Sequence, residues 1–183
     1  MAGNYFRKDN LSFKDKVFAL DFVLIFLILL LGIISIFAMY SSEQGKFDYY
    51  TQNHLYRFFI FFMVFITVSF FNVQTWHKSA YLFYFIILVL LLSVYFYGIT
   101  ASGSKRWINL FFINLQPSEL MKVALIVFLA RYYYQIPSDK VTNIKFIVIP
   151  FFALFIPVLL VISQPDLGTA VLIMLGGLVV VWL

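Results

Sequence analysis

Charged side chains stand out in this sequence because they interrupt stretches that are otherwise apolar. Glu119 and Lys122 are three positions apart, a spacing that places both on one face of a helix. Asp166 stands between two apolar runs. A charged side chain inside a bilayer is costly, so each of these three residues is a candidate for function.

Two short strings with these charges resemble each other. Gln116, Pro117 and Ser118 precede Glu119, and Gln164 and Pro165 precede Asp166. Each string stands just before an apolar run that we interpret as a helix. Proline favours the first turn of a helix, whose free N–H groups attract anions. The pattern therefore predicts two helix N-termini that favour a negatively charged ligand.

The segment 100–116 supplies further candidates, namely Lys105, Arg106 and Trp107. If the spans alternate across the membrane, this segment, the start of the helix at Pro117 and the junction at Asp166 lie at the same membrane face. Arg57 is a weaker candidate for that face. The sequence therefore predicts that polar residues from two distant stretches of the chain converge at one level.

A purely structural interpretation is available for each of these residues. Ser118 and Glu119 suit the first turn of any helix, and Lys122 can pair with Glu119 or extend toward the bilayer surface. Asp166 can serve as a helix cap, and Arg57 as an interfacial anchor. A structural role explains any one residue well, but it explains the whole set at one face less well. His54 and His77 are expected in loops.

The composition explains why charge is informative here. The chain has 183 residues, of which 63% are hydrophobic and 11% are charged, against about 25% charged in a typical soluble domain. We infer that lipid surrounds most of the protein. There is no cysteine, which excludes Cys-ligated metal sites. There are only two histidines, in separate segments, which argues against a histidine metal site. Without a P-loop or dinucleotide motif, nucleotide-driven chemistry is not indicated.

Charge-free runs predict an all-α, polytopic membrane protein with six transmembrane helices, because a helix needs about 20 apolar residues to cross the hydrocarbon core. The predicted spans are residues 20–41, 55–73, 80–99, 117–134, 145–163 and 167–183. The span 117–134 is less evident because it contains charged residues. Residues 1–19 form a cytoplasmic N-terminal segment, for which we favour disorder over a short amphipathic helix at the inner leaflet. The segment 20–183 is treated as one transmembrane domain.

The distribution of basic residues predicts the orientation. With the N-terminus in the cytoplasm, eight of the 13 lysine and arginine residues lie inside and five lie outside. The inside set is Arg7, Lys8, Lys14, Lys16, Lys78, Arg131, Lys140 and Lys145, and the outside set is Lys46, Arg57, Lys105, Arg106 and Lys122. This excess agrees with the positive-inside rule. The net charge of +5 therefore has a membrane explanation, and no nucleic-acid partner is indicated.

Three strings in this order resemble the SEDS family, which includes RodA, FtsW and SpoVE. They are residues 103–110, 116–122 and 164–170, the last of which contains Gly168 and Thr169 as part of the motif. The first two strings are most similar to the RodA, or elongation, branch. The resemblance covers the chain from residue 15 onward but about half of the family's length, since relatives have around ten membrane helices. The chain thus resembles the N-terminal half of such a protein, and its apolar end at Leu183 suggests truncation.

The resemblance implies a peptidoglycan glycosyltransferase that polymerises lipid II during elongation and cell-shape maintenance. The family's catalytic carboxylate is expected beyond Leu183, so we name no catalytic residue in this chain and expect it to be inactive alone. Arg57, Arg106 and Lys122 are then candidates to bind the departing undecaprenyl pyrophosphate.

The remaining roles also follow from the resemblance. Glu119 would orient Lys122, Asp166 would position a sugar hydroxyl or a cation, and Trp107 would stack on a sugar or anchor its loop. No cofactor is evident, although a divalent cation is compatible with this chemistry. The implied partners are a class B penicillin-binding protein, which is a transpeptidase, and other membrane proteins of the elongation complex, in the bacterial inner membrane.

Two other functions remain open at this point. A flippase for lipid-linked precursors would use the same lipid and the same cations, but it needs polar residues along a path to the cytoplasmic face. Here the charges within the spans lie near the outer face, which favours an enzyme. A non-catalytic scaffold for a transpeptidase is the second alternative, because the expected base is outside this chain.

Overall fold

A computed structural model describes residues 13–101, 104–109, 114–137 and 143–182. The described chain contains seven helices and three short strands. In chain order they are α1 (Phe13–Phe18), α2 (Phe22–Ser42), α3 (Tyr49–Ser69), α4 (Val73–Tyr97), β1 (Ile99–Ala101), β2 (Ser104–Asn109), β3 (Asn114–Leu115), α5 (Pro117–Tyr134), α6 (Ile144–Ile162) and α7 (Leu167–Trp182). The chain divides into two compact units, Met1–Asn72 and Val73–Leu183.

In the first unit, α2 and α3 form an antiparallel hairpin with close packing at Gly32. Gly32 is buried, and a Cβ atom added there would lie 2.1 Å from Cζ of Phe58. Glycine therefore lets the aromatic ring lie directly on the backbone of α2. Nearby, Ser35 Oγ and His54 Nε2 are 2.9 Å apart, so the hairpin also contains a polar contact between its helices.

The start of α3 is fixed by two acidic side chains. Asp48 accepts a hydrogen bond from the backbone N–H of Tyr49, and Glu43 accepts from the N–H groups of Tyr50 and Thr51 and from the Thr51 hydroxyl. The Thr51 hydroxyl and these N–H groups hold the pKa of Glu43 below its ordinary value, although burial opposes them. Because these caps satisfy the free N–H groups, α3 begins at Tyr49, before the apolar run.

This early start corrects the expectation that His54 lies in a loop. His77 likewise lies within α4, which begins at Val73. The predicted spans 55–73 and 80–99 correspond to helices at Tyr49–Ser69 and Val73–Tyr97. Charge-free runs indicate which residues suit lipid, whereas the ends of a helix depend on its capping groups. Both helices therefore begin several residues before the predicted spans.

The second unit is built around α5, which packs against α4, α6 and α7. Its buried face carries Met121, Leu125 and Leu129, all completely inaccessible, and Ile173 of α7 joins the same core. A Cβ atom at Gly177 would lie 2.5 Å from Cδ1 of Leu154. A small residue at this position of α7 therefore allows close approach to α6, as is common between membrane helices.

The two prolines within α6 are matched by two tyrosines of neighbouring helices. Proline has no N–H, so the carbonyl four positions earlier loses its helical partner. Pro157 frees the carbonyl of Ala153, which accepts a hydrogen bond of 2.8 Å from the Tyr84 hydroxyl of α4. Pro150 frees the carbonyl of Phe146, which accepts one of 3.1 Å from the Tyr132 hydroxyl of α5. Both freed carbonyls are therefore satisfied by side chains, as an apolar environment requires.

The connection between α4 and α5 forms a small antiparallel sheet in the order β1-β2-β3. Trp107 of β2 pairs with Ile99, and Ile108 pairs with Leu115. Gly98 allows the sharp exit from α4, because a Cβ atom there would lie 2.4 Å from the carbonyl oxygen of Val94. The sequence predicts a loop over residues 100–116, and the structure shows that three short strands lie in this connection. Residues 102, 103 and 110–113 of this segment lie outside the described residues.

The all-α fold class is confirmed, and the strands are confined to one connection. By length and composition, α2, α4 and α6 are long and apolar enough to cross a membrane, and α7 is a shorter apolar helix. Six long helices occupy the regions of the six predicted spans. Residues 13–18 are helical where disorder was favoured, and residues 1–12 lie outside the described residues.

The proline–tyrosine pairs predict a specific loss of stability. Tyr84→Phe removes the hydroxyl that donates to the freed Ala153 carbonyl while it keeps the ring, and Tyr132→Phe does the same at Phe146. Each substitution should lower the free energy of unfolding by about 1 kcal/mol, the scale of hydrogen bonds between membrane helices. Unfolding by SDS titration from mixed micelles measures this change. Tyr97→Phe, at an exposed position at the end of α4, is the matched control, and an equal effect of all three would contradict the assignment.

Candidate functional site

Asp166 is the centre of a polar cluster at one end of the second unit. It lies in the connection between α6 and α7 and is only 7% exposed. Its Oδ1 accepts the backbone N–H of Thr169 at 3.2 Å, and its Oδ2 accepts the Thr169 hydroxyl at 3.0 Å. The backbone carbonyl of Asp166 accepts the N–H of Ala170. Asp166 is therefore the cap of α7, the structural role that the sequence allowed.

Residues from a distant part of the chain bind the same carboxylate. Gln116, just before α5, donates from Nε2 to Oδ2 of Asp166 at 3.0 Å and to the hydroxyl of Ser118 at 3.1 Å. Pro117 and Ser118 are buried in the first turn of α5. The predicted convergence of the two Gln-Pro strings is thus present as a direct contact.

Strand β2 contributes the positive charge of the cluster. Arg106 Nη1 lies 3.1 Å from Oδ2 of Asp166, with the arginine side chain 28% exposed. The neighbouring Lys105 points the other way and donates to the carbonyls of Tyr95 and Phe96 at 3.0 and 3.3 Å. Lys105 therefore caps the last turn of α4, while Arg106 is directed to Asp166. The two adjacent basic residues hold β2 between two helix ends.

Glu119 and Lys122 form a second ion pair on α5. Lys122 Nζ lies 2.9 and 2.8 Å from the two oxygens of Glu119. The glutamate side chain is 53% exposed and the lysine 28%, so water screens much of the attraction. The predicted contact within this pair is present. Among the described residues, no direct contact joins the pair to Asp166, which is bound by Arg106 instead.

The environment of Asp166 acts on its pKa in two directions. Burial raises the pKa of the carboxyl, whereas the hydrogen bonds from Thr169 and the Arg106 guanidinium lower it, and the net direction is downward. A carboxylate that accepts several hydrogen bonds is stabilised in its charged form and is a weak base. The geometry therefore favours a permanent negative charge at this position over proton transfer.

The other predicted residues occupy different surroundings. Gln164 is buried and its amide donates to the carbonyl of Leu91 on α4 at 3.3 Å. Trp107 lies on β2, beside Arg106. Gly168 is exposed in the first turn of α7, with open space around its Cα atom. Arg57 is an exposed residue of α3 in the first unit. Substrate binding by these residues stays a prediction.

The structural roles of Thr169, of Lys105 and of the two tyrosines that donate to carbonyls of α6 were not predicted from the sequence. A threonine three positions after an acidic cap is a recognisable local signal for Thr169. The prolines at positions 150 and 157 indicate that two carbonyls need donors, but nothing in the sequence selects Tyr84 or Tyr132. As for metals, the part of the chain that the structure describes holds no group of three His, Cys, Asp or Glu side chains able to bind an ion.

The comparisons with known proteins agree with this architecture. Residues 18–183 match the family model for FtsW, RodA and SpoVE, described as cell cycle proteins. The chain is 31% identical over 170 residues to the probable peptidoglycan glycosyltransferase FtsW of Tolumonas auensis, covering 92% of this chain and 44% of the relative. It is 40% identical over 103 residues to the peptidoglycan glycosyltransferase MrdB of Escherichia coli, covering 55% of this chain and 26% of that relative.

Solved structures show the same fold. The rod shape determining protein RodA of Thermus thermophilus aligns with a TM-score of 0.77 at 25% identity, covering 90% of this chain and 53% of RodA. A chain from "Structural coordination of polymerization and crosslinking by a peptidoglycan synthase complex" aligns with the same TM-score of 0.77 at 24% identity, covering 90% of this chain and 47% of its own length.

The helices and their relatives define a polytopic membrane protein. The chain belongs to the FtsW/RodA/SpoVE, or SEDS, family of cell cycle proteins, because the family model matches residues 18–183. It spans about half, or less, of the length of the curated relatives described above.

The Asp166 cluster predicts a pH dependence of stability. The folded-state pKa of Asp166 lies below its ordinary value of 3.8, so its contribution is complete above that value and is lost as the pH falls through the folded-state pKa. Asp166→Asn should lower the thermal midpoint in detergent at pH 7, and its difference from the unsubstituted protein should shrink by pH 3. Arg106→Gln should show the same convergence. A constant difference across this range would contradict the role of the charged carboxylate.

Proposed function

We propose that the full-length protein is a membrane peptidoglycan glycosyltransferase that polymerises lipid II during cell elongation and cell-shape maintenance. The observation that carries the proposal is the match of residues 18–183 to the family, together with relatives named as peptidoglycan glycosyltransferases. The identity to MrdB and the fold of RodA support the elongation branch.

The geometry supports a role for this part of the protein in holding the pyrophosphate of the donor. The acceptor sugar hydroxyl attacks the anomeric carbon of the donor, the bond to the pyrophosphate breaks, and undecaprenyl pyrophosphate leaves with the bonding electrons. Preorganised cations stabilise such a charge. Arg106 and Lys122 lie at the same end of the second unit, on β2 and in the second turn of α5. Trp107 beside Arg106 is the candidate for sugar stacking.

We assign removal of the proton from the acceptor hydroxyl to a residue other than Asp166 and Glu119, the two described carboxylates at this end. Asp166 accepts three hydrogen bonds and an ion pair, and Glu119 is bound by Lys122 through both oxygens. The donors around Asp166 make that carboxylate a weak base, and Glu119 is already engaged by Lys122. A divalent cation belongs to this proposal only as a counterion that accompanies the pyrophosphate.

A flippase is the second candidate, and the charge distribution argues against it. A flippase needs a polar path between the two membrane faces. At the opposite end of α5, Arg131 donates to the carbonyls of His77 and Lys78 and stacks on the ring of Tyr81 at 4.4 Å. These contacts join α4 to α5, so this arginine is occupied in helix packing.

For the cellular setting we propose the bacterial inner membrane, with the N-terminus in the cytoplasm and the Asp166 cluster at the outer face. The proposed partners are lipid II, a class B penicillin-binding protein as transpeptidase, and other elongation-complex membrane proteins. The peptidoglycan synthase complex whose chain shares this fold supports a transpeptidase partner.

The orientation can be tested with single cysteines, since the natural chain has none. A cysteine at position 42 or 102 should react with an impermeant maleimide added to intact spheroplasts, because both positions are predicted outside. A cysteine at position 138 should react only after the membrane is permeabilised. Labelling at 138 in intact spheroplasts would reverse the topology.

The enzymatic proposal predicts that the full-length protein polymerises lipid II and that Lys122→Ala slows it strongly, while the protein still inserts and accumulates. The expected loss is about 10²-fold or more, the scale for one preorganised group that stabilises transition-state charge. Glycan strands formed from labelled lipid II in detergent and resolved on a gel measure the rate. The 183-residue chain alone should show no synthesis, because it lacks a free base among its described carboxylates at this end.

The matched control is Lys46→Ala, which removes another lysine from the predicted outer side, in the α2–α3 connection. It should leave polymerisation unchanged. Synthesis by the 183-residue chain alone would contradict the assignment of the base elsewhere, and normal synthesis by Lys122→Ala would remove Lys122 from the site.

A further inference from the structure

We propose that Gln116 and Thr169 are positioning residues that fix the Asp166 carboxylate and, through it, aim the Arg106 guanidinium at the pyrophosphate group of the lipid substrate. Only the identity of that anion rests on the proposed function. The aiming of Arg106 rests on the contacts within the cluster and holds for any anionic ligand.

One oxygen of Asp166 is crowded by donors. Asp166 Oδ2 accepts from Thr169 Oγ1, from Gln116 Nε2 and from Arg106 Nη1, at 3.0, 3.0 and 3.1 Å. Its Oδ1 accepts from the backbone N–H of Thr169. Each carboxylate oxygen offers about two lone-pair sites, so Oδ2 is fully occupied and Oδ1 is held by the backbone of α7. It therefore acts on a ligand through Arg106 and does not contact the ligand itself.

Arg106 has more N–H donors than its contact with Asp166 uses. A guanidinium has five N–H donors, and Asp166 is its only ion-pair partner among the described residues. Arg106 Nε is buried from solvent, and no side chain or backbone group of the described residues accepts from it. That nitrogen is not reached by a ligand, but the side chain is 28% exposed and binds Asp166 through Nη1. The arginine is therefore held on one side by Asp166 and keeps the donors of its exposed part for a second anion. Arginine suits this use because its planar fork binds phosphate oxygens in pairs.

Gln116 and Thr169 are both needed to fix the orientation of the Asp166 carboxylate. Rotation of the Asp166 carboxylate would move Oδ2 away from Arg106, and a single ion pair does not prevent this rotation. Thr169 binds both oxygens from within the first turn of α7. Gln116 approaches from the start of α5 and uses its second amide hydrogen on the buried hydroxyl of Ser118. The carboxylate is thus held from two helices, independently of its contact with β2.

The aiming of Arg106 can be tested directly by chemical labelling of the purified full-length protein in detergent. Phenylglyoxal modifies arginines, and Arg131, at the opposite end of α5, serves as the internal reference in the digest. Thr169→Val removes the hydroxyl at nearly constant volume and should raise the rate at Arg106 relative to Arg131 by about tenfold, the effect of losing a hydrogen bond to a charged group. Thr169→Ser should restore the slow rate.

The matched control is Thr67→Val, which removes a hydroxyl that bonds only to the backbone of its own helix. It should leave the ratio of the two rates unchanged. Folding of each variant is checked by its thermal midpoint. An unchanged ratio in folded Thr169→Val would overturn the proposal, as would a failure of Thr169→Ser to restore it.

A second variant gives a readout that a purely structural role of Gln116 would not move. Gln116→Glu places a carboxyl 3.0 Å from Asp166 Oδ2, where Asp166 and Arg106 are the charged groups that face it. When ionised it repels Asp166, and when protonated it can donate a hydrogen bond as the amide does. Binding of undecaprenyl pyrophosphate, as a ratio to the unsubstituted protein, should fall about tenfold at pH 8 and recover toward unity at pH 5.

Gln135→Glu, at the far end of α5, is the control for this titration. Its side-chain oxygen accepts from Tyr81, and a carboxylate accepts equally well, so its binding ratio should stay near unity at both pH values. A ratio for Gln116→Glu that does not change with pH would overturn the positioning role.

The ligand and the positioning role can fail separately. Undecaprenyl pyrophosphate added to the unsubstituted protein should protect Arg106, but not Arg131 at the opposite end of α5, from phenylglyoxal. If it does not protect Arg106 while Thr169→Val still raises labelling, the pyrophosphate assignment is overturned and the aiming of Arg106 stands. If the full-length protein polymerises no lipid II although undecaprenyl pyrophosphate still protects Arg106, only the enzymatic proposal is overturned.

Discussion

The buried negative charge of Asp166 is the constraint on which this end of the molecule depends. A carboxylate that is only 7% exposed is stable only if donors replace the water it has lost. Here the donors come from β2, from the residue before α5 and from the first turn of α7. These elements are distant in sequence, and one side chain joins them. Removing any partner therefore disturbs more than one element.

The same requirement, that every polar group in an apolar setting needs a partner, shapes the helix that leads to Asp166. In α6 the two prolines leave two carbonyls without donors, and hydroxyls from α4 and α5 supply them. At the end of α6, Gln164 donates to a carbonyl of α4. Three successive polar contacts thus register α6 against its neighbours along its length. The position of Asp166 is set by this registration as well as by its own hydrogen bonds.

Much of this arrangement could be predicted from the sequence, for identifiable reasons. Apolar runs locate the helices because lipid requires them, and alternating spans bring the two Gln-Pro strings to one end. The partner of Asp166 could not be chosen in this way, because Lys105, Arg106 and Lys122 all lie at that level. The strand pairing of β2 decides it by sending adjacent side chains in opposite directions. His54 was misplaced for a similar reason, since the caps from Glu43 and Asp48 start α3 before the apolar run.

The balance of charge at this end indicates the kind of chemistry it can support. Both acidic side chains there, Glu119 and Asp166, are paired with cations. The Arg106 side chain is 28% exposed beside Asp166, and a carboxylate held in its charged form is a poor proton acceptor. A site with occupied acids and spare basic donors stabilises negative charge better than it removes protons. In the proposed glycosyl transfer, such a site would lie on the side of the departing pyrophosphate and would leave activation of the acceptor hydroxyl to a separate group.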